Sequence, residues 1–328
     1  MNRLKIGVLS VSNHLLKRIV LPLKNTKYCK IYGIASRNPK KAEAFAQKFD
    51  IEKVYADYQE LIEDPIIDFV YIPLPNHLHL EWVVKAAEAG KHILCEKPIA
   101  LNAQEAMQCI EAAQKNKVQL MEAFMYKFHP LWIYAKEVIT TNQIGRIMYI
   151  HTSFAYHNPA PDNIRNIKEF GGGALMDIGC YAISSSRFLL DAEPQRVMAI
   201  HQQHPEFKTD TLGSAIMDYD GRHASYTVST LSQANQGVDI VGSSGRIRIP
   251  VPFNTYVDTP SEIIINTAQG ERSVSFAVCD QYGLMFDAFS ECLIKKMPLP
   301  IEPTDVLNNM KVIDAVFKSA QSQQWERL

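Results

Sequence analysis

The sequence predicts an α/β Rossmann domain with a doubly wound parallel sheet, followed by an α+β C-terminal domain with a mostly antiparallel open sheet. Three observations predict this architecture. Through residue 123, short apolar runs alternate with longer amphipathic stretches at helical spacing. After about Met125, strand-like runs follow one another with few helices between them. Asp220-Gly221, two residues that tolerate positive φ, sit between two of those runs and mark a hairpin.

The N-terminal runs are Lys5–Leu9, Ile31–Ala35, Phe69–Ile72, His92–Cys95 and Val118–Met121. The helical patterns between them are Leu15–Leu23, Lys40–Phe49, Leu78–Ala89 and Ala103–Asn116. Apolar strands without strict alternation are buried on both faces, as in a parallel sheet covered by helices. Repeated strand–helix–strand units with right-handed crossovers then build a nucleotide-binding fold over residues 1–123. In residues 124–328, Gly145–Tyr156 reads as a strand and Ala174–Leu190 as a helix. Strands are expected at Gln195–Gln203, Leu212–Tyr219, His223–Thr230, Val238–Val241, Arg246–Val251, Glu262–Thr267 and Arg272–Val278. Helices near Gln281–Lys296 and Asp305–Ser322 close the chain. A sheet with one face short of helical cover is commonly buried against another subunit, so a homodimer or homotetramer is expected through it. With no long linker between the halves, a cleft where the domains meet is the expected site.

Composition narrows the function. The 328 residues have a formal net charge of -1 and 21% charged residues. A nucleic-acid or membrane-surface partner would call for a concentrated basic face, which this balance does not supply. Met1-Asn2-Arg3-Leu4-Lys5 and the apolar residues after it resemble a secretory leader. The stretch is short, however, and is followed by His14, Lys17 and Arg18 without a small-residue cleavage site, so a buried first strand explains it better. The six cysteines form no CxxC pair; they read as reduced thiols of a cytoplasmic protein, with no metal site.

Several candidate site residues fall at strand ends. In the first strand–turn–helix, Ser10 and Ser12 stand where a dinucleotide turn normally has glycine, with Asn13 beside them. A serine hydroxyl can donate to a phosphate, although the turn taken alone suits a purely structural role equally well. At the end of the second run come Ser36, Arg37 and Lys41, where an NAD site usually places a carboxylate for the ribose. A hydroxyl and a guanidinium bind a 2′-phosphate with charge-assisted hydrogen bonds, which favours NADP over NAD. The loop after Phe69–Ile72 contains Pro73, Leu74, Asn76 and His79 at the ligand edge of the sheet, with His77 and His79 expected to be partly exposed at a helix start. Glu96 and Lys97 follow the next strand; Lys97 would point into the cofactor crevice or, alternatively, pair with Glu96 at the surface. In Phe170–Tyr181, three glycines permit close backbone approach before a helix on which Asp177 and Tyr181, four apart, share one face. A polar pair on an inward face needs partners or a function. Arg165 lies in a loop where solvent exposure and substrate contact are equally compatible with the sequence.

Taken together, the first turn, the proline-rich loop, Glu96-Lys97-Pro98, Glu122-Ala123-Phe124-Met125-Tyr126 and Gly171–Tyr181 resemble the Gfo/Idh/MocA family of sugar-type oxidoreductases over nearly the whole chain. The resemblance implies a Rossmann domain that binds the dinucleotide, with Ala123 among the cofactor residues and Lys97 beside the nicotinamide. It implies that Tyr181 exchanges the proton and that Asp177 binds substrate hydroxyls or orients the acid–base group. Tyrosine at 181 is similar to the branch that holds glucose–fructose oxidoreductase, dimeric dihydrodiol dehydrogenase and xylose dehydrogenase. The implied activity is hydride transfer between NADP(H) and a sugar-like CH–OH or C=O group, with Arg165, Asp177 and Tyr181 meeting the substrate. A free phenol near pKa 10 ionises poorly at neutral pH, and a nearby ammonium such as Lys97 lowers that value. The alternative is a catalytically silent, dinucleotide-sensing regulator on the same fold, which would have no need of a proton-transfer pair.

Overall fold

The computed structural model describes residues 3–328; Met1 and Asn2, which open the leader-like start, lie outside them. Among the described residues no helix is long and apolar enough to cross a membrane. By compactness the chain forms two units, one reaching to Met125 and taking in Asp280–Leu307, the other made of Tyr126–Cys279 and Asn308–Leu328. The sequence reading divides the chain once, after residue 123, whereas the units also exchange chain at Cys279/Asp280 and Leu307/Asn308. The later crossings have no composition signal.

The first unit holds six strands, β1 (Leu4–Leu9), β2 (Cys29–Ala35), β3 (Lys53–Tyr55), β4 (Phe69–Ile72), β5 (His92–Cys95) and β6 (Leu120–Glu122). Helices α1 (Val20–Lys24), α2 (Pro39–Phe49), α3 (Tyr58–Glu63), α4 (His79–Glu88) and α5 (Ala103–Lys115) alternate with them. All neighbouring strands pair in parallel, in the order β3-β2-β1-β4-β5-β6. The chain therefore winds outward in both directions from β1 and β4, and the strand order reverses between them. In such sheets the crevice outside the carboxyl ends at the reversal is where a dinucleotide binds. The apolar runs predict this because β4, Phe69–Ile72, is buried at every position. Strand β3 and helix α3 are missing from the sequence reading: three residues are too few to show a period, and a six-residue helix shows fewer than two turns of pattern.

The second unit begins with α6 (Pro130–Thr140), β7 (Ile147–His157) and α7 (Cys180–Leu190). Seven strands follow: β8 (Arg196–Gln203), β9 (Asp210–Asp218), β10 (His223–Ser229), β11 (Leu231–Gly242), β12 (Gly245–Ile249), β13 (Ser261–Thr267) and β14 (Gly270–Phe276). With β15 (Glu326–Arg327) they make a nine-stranded sheet in the order β14-β13-β12-β11-β7-β10-β9-β8-β15. Every pair is antiparallel except β10 with β7. Asp220 and Gly221 both have positive φ, as the β9–β10 turn requires. One face buries Val197, Ala199, Ala215, Met217, Tyr226 and Phe154, and the other leaves Ile200, Ile216 and Tyr149 in solvent. Helix α6, which the sequence reading lacks, starts where Pro130 occupies the first turn and the His129 ring accepts from the Leu131 N–H at 3.1 Å.

Helix α8 (Gln281–Lys295) returns to the first unit. The carboxylate of Asp287 accepts from the backbone N–H groups of Lys27 and Tyr28 at 2.8 and 2.9 Å, and Phe286 packs edge-on against Tyr71. Helix α9 (Pro303–Ser322) closes the chain before β15.

Two histidines of the second unit, His129 buried and His201 half-buried, are pushed towards their neutral form by desolvation. Burial pushes His129 down to about 4 and His201 to about 4. Each has a folded pKa below its unfolded value near 6.5, so its contribution to stability is complete above that value and is lost as pH falls towards 4. His129→Asn keeps a side-chain acceptor for Leu131 N–H and removes the titration. This variant is expected to flatten the acid loss of stability by about 1.4 kcal/mol per pH unit over that window. Urea unfolding of the two proteins from neutral to mildly acidic pH measures it; identical slopes would show that His129 does not stay neutral.

Candidate active site

In the first unit, the carboxyl ends of β1, β2, β4 and β5 position the residues that the sequence nominates for the cofactor. Directly after β1, Ser10 has a φ of 153°, a backbone state in which glycine is normally found. The Ser12 hydroxyl accepts from Leu15 N–H at 3.0 Å and its carbonyl from Leu16 N–H at 3.1 Å, which starts a π-helical turn, Leu15–Ile19, leading into α1. Asn13 is exposed beside it. After β2, Ser36 is half-buried, while Arg37 and Lys41 are exposed. Ser36 Oγ accepts from Asn38 N–H at 3.2 Å and Asn38 Oδ1 from Lys41 N–H at 3.1 Å, so the start of α2 is capped from within the segment. A hydroxyl that accepts one bond still has its own proton to donate. Tyr58, absent from the sequence reading, joins the two strand ends: its hydroxyl meets the Ser10 side chain and the Arg37 backbone. Burial raises its pKa, and the Arg37 charge opposes that rise.

After β4, Pro73 and Leu74 are buried, and Asn76 opens a short 3-10 turn, Asn76–Leu78. His79 corrects the expectation of partial exposure. Its ring is wholly enclosed, with Nδ1 2.9 Å from the Pro98 carbonyl and Nε2 2.9 Å from the Leu74 carbonyl. It therefore lies between the proline-rich loop and the Lys97-Pro98 turn rather than offering a surface to a ligand; burial lowers its pKa, and the neutral ring donates to one of the two carbonyls and packs against the other. Lys97 precedes a cis peptide bond to Pro98 and is half-buried. Glu96 turns inward. Its Oε1 accepts from the Tyr71 hydroxyl at 2.6 Å and lies 3.3 Å from His14 Nε2. Burial alone would raise this carboxyl, yet His14, Tyr71 and Lys97 outweigh it and hold the group below its usual range. A surface pair between Glu96 and Lys97 is thereby replaced by an internal carboxylate. Ala123 is buried and its N–H donates to the Cys95 carbonyl at 2.8 Å.

In the second unit, a folded loop delivers the polar pair. Asn163 Oδ1 accepts from Arg165 N–H at 3.1 Å, and the buried Asn166 side chain donates to the carbonyls of Asn158 and Ala160 at 3.0 and 2.8 Å. The loop closes where Gly173 N–H donates to the Arg165 carbonyl at 2.8 Å. A side chain at Gly172 would strike that carbonyl at 2.5 Å. Gly173 has a φ of 121°, and a Cβ there would lie 2.1 Å from Asp210 Oδ1. Both glycines are therefore required by close approach.

A π-helical turn, Leu175–Gly179, leads into α7 and carries Asp177. Its Oδ2 accepts from the Tyr156 hydroxyl at 2.6 Å and from Arg165 Nε at 2.8 Å. Asp177 is only 13% exposed and Arg165 39%, so the ion pair is partly screened on one side. The carboxylate raises Arg165 further above its already high value; burial and the same carboxylate push the Tyr156 phenol far up. Tyr181, one turn on, is buried with its ring 5.1 Å from that of Phe253 and 6.0 Å from Phe154, and its phenol lies within the electrostatic reach of Arg165. Of the residues nominated here, the structure thus brings Asp177, Arg165 and Tyr181 together. Sequence reasoning missed Tyr156 and Asp210, since neither bears a fixed spacing to the helix; alternation in β7 predicts strand and nothing of the polar tip of one side chain.

Two family models match successive parts of the chain. An oxidoreductase family with an NAD-binding Rossmann fold matches residues 5–124, and the GFO/IDH/MocA C-terminal domain matches residues 132–248. The chain belongs to the GFO/IDH/MocA oxidoreductase family. Among family relatives, an oxidoreductase of Rhizobium meliloti is 35% identical over 99% of this chain and 99% of its own. The NADP(+)-dependent D-xylose 1-dehydrogenase 2 of Haloferax volcanii is 32% identical over 92% of this chain and 93% of its own. Among solved structures of similar fold, a 3-ketoreductase from Actinomadura kijaniata in complex with NADP and TDP-benzene superposes with a TM-score of 0.91. It is 26% identical, covering 97% of this chain and 98% of that one.

Proposed function

We propose that this GFO/IDH/MocA oxidoreductase uses NADP(H) to move a hydride to or from the CH–OH or C=O carbon of a sugar-like substrate, an aldose, ketosugar or related cyclic polyol. The observation that supports this most strongly is Tyr181 on the same helical run as Asp177, whose carboxylate is held by Arg165 and Tyr156. The first domain would hold the dinucleotide and the second the substrate. Ser36, Arg37 and Lys41 at the end of β2 suit a 2′-phosphate, because cations and a hydroxyl stand where a carboxylate would repel it. Ser10, Ser12 and Asn13 would face the pyrophosphate, with the Pro73–Asn76 loop, Glu96, Lys97 and Ala123 along the nicotinamide half. His79 would act by holding two of those loops.

When bound, the nicotinamide supplies or accepts the hydride. Tyr181 would give a proton to the substrate oxygen during reduction, or take it during oxidation. Arg165 lies within electrostatic reach of this phenol, and in this reading Lys97 from the first domain would join it, two cations that would favour loss of the phenol proton. Lys97 would also stabilise charge that develops on the substrate oxygen. Asp177, with Arg165 at its side, would receive substrate hydroxyls. The D-xylose dehydrogenase and the ketoreductase named above support a sugar and NADP as the classes to test first.

Tyr181→Phe is expected to lower turnover by about two to four orders of magnitude, the usual range for losing a general acid or base, with NADPH binding retained. Steady-state rates on a panel of aldoses, ketosugars and polyols, followed by absorbance of the reduced cofactor, measure it; near-normal turnover of the variant would remove Tyr181 from the reaction. If the wild-type protein binds NADPH yet turns over no member of the panel, the dinucleotide-sensing reading gains instead. Arg37→Ala is expected to weaken NADP(H) by about tenfold or more while leaving NAD(H) nearly unchanged, since only the former has the phosphate to lose. Equal losses on titration with both would dismiss the NADP preference. The open face of the nine-stranded sheet, with Ile200, Ile216 and Tyr149 exposed, supports assembly as a homodimer or homotetramer. Light scattering should then return a mass two or four times that of the chain, and a monomer at micromolar concentration would refute it.

A further inference from the structure

The start of the helical run that contains Asp177 and Tyr181 is not capped by its own sequence. Ala174, at the capping position, has no side-chain oxygen to offer, and Gly173 before it has no side chain at all. The first N–H groups of a helix have no partner within it and need one from elsewhere. Here it comes from β9. Asp210, the first residue of that strand and 5% exposed, reaches across so that its Oδ2 accepts from Leu175 N–H at 2.7 Å, and Ala174 N–H also serves the carboxylate. Burial pushes the Asp210 carboxyl up to about 7 while these N–H groups pull it back down, and its ionised form complements the positive end of the helix dipole. The fit is close, because any side chain at Gly173 would displace Asp210 Oδ1.

We infer that Asp210 is a positioning residue for the reaction: by capping the turn Leu175–Gly179 from the sheet, it sets the axial position and rotation at which Asp177 and Tyr181 are presented. Each residue of helix advances 1.5 Å and turns about 100°, so slippage or fraying at the first turn would displace both groups by more than a reaction can tolerate. Asp177 N–H bonds the Gly173 carbonyl at 3.0 Å, within the same turn that Asp210 holds, so loosening the cap reaches Asp177 directly. The sheet is the rigid reference: Asp210 stands opposite Gln203 on β8, and Thr230 N–H donates to the carbonyl of the next residue, Thr211, at 3.0 Å.

The inference rests on the proposed roles of Tyr181 and Asp177, and one experiment separates the two questions. Asp210→Ala removes the acceptor, Asp210→Asn keeps one oxygen without the charge, and Tyr181→Phe serves as reference. Amide hydrogen exchange across 174–181 is measured on all three proteins and the wild type, together with NADPH affinity and with kcat and KM for the panel sugar that the wild type turns over fastest. Asp210→Ala is expected to speed exchange over this segment, to lower kcat by about ten- to a hundredfold and to raise KM, since Asp177 moves with Tyr181, while NADPH affinity is little changed. Asp210→Asn should recover part of both losses. Unchanged exchange in Asp210→Ala would overturn the cap. Faster exchange with wild-type kcat, while Tyr181→Phe is inactive, would overturn the positioning role and leave Tyr181 in place. Normal turnover of Tyr181→Phe would instead defeat the proposed chemistry, and the exchange data would still decide the cap. If Asp210→Ala does not fold, Asp210→Asn decides: wild-type exchange and wild-type kcat in that variant would overturn the inference.

Discussion

One carboxylate oxygen receives both a guanidinium N–H and a phenol O–H in the second unit, and the polar architecture around it follows from that arrangement. Asp177 Oδ2 holds Arg165 at 2.8 Å and Tyr156 at 2.6 Å. A largely buried carboxylate with no donor would be costly, so each neighbour is needed where it stands. Hydrogen bonds to charged groups contribute about 1.5–3 kcal/mol, enough to hold a loop arginine in one rotamer against its side-chain entropy. The loop between Asn158 and Gly173 is accordingly stapled by its own backbone and amide bonds rather than left to solvent.

The first unit solves a comparable problem with histidines and tyrosines. Glu96 is a buried carboxylate at the end of a central strand, and Tyr71 and His14 supply its partners from β4 and from the segment after β1. His79 then lies between two turns, donating to one carbonyl and packing against the other. These contacts link the ends of three strands, β1, β4 and β5, along the edge where the fold places its ligand. Glu96 and His79, both nominated from the sequence for the cofactor, spend their polar atoms on holding that edge together, which is why a histidine in this loop is enclosed.

The parts of the site differ in how legible they are from sequence. Lys97, Asp177 and Tyr181 stand in short motifs with fixed spacing, and the helical period alone puts the last two on one face. Ser36 and Arg37 are readable because the end of the second strand is a position of known consequence in this fold. Tyr156, Tyr58, His14 and Asp210 are not readable in that way. Each reaches its partner across strands or loops, and the distance along the chain holds no information about the distance in space.

By itself the sequence determined the class of fold, the run of parallel strands and the hairpin at Asp220-Gly221, because these depend on local period, turn chemistry and residue type. Only the tertiary structure decided that α8 belongs with the first unit, that His79 is enclosed between two loops, and that Asp210 caps a helix whose own start has nothing to offer. The reason is physical. Burial, partner and protonation state belong to a side chain's surroundings, and those surroundings are assembled from segments the chain brings together only on folding.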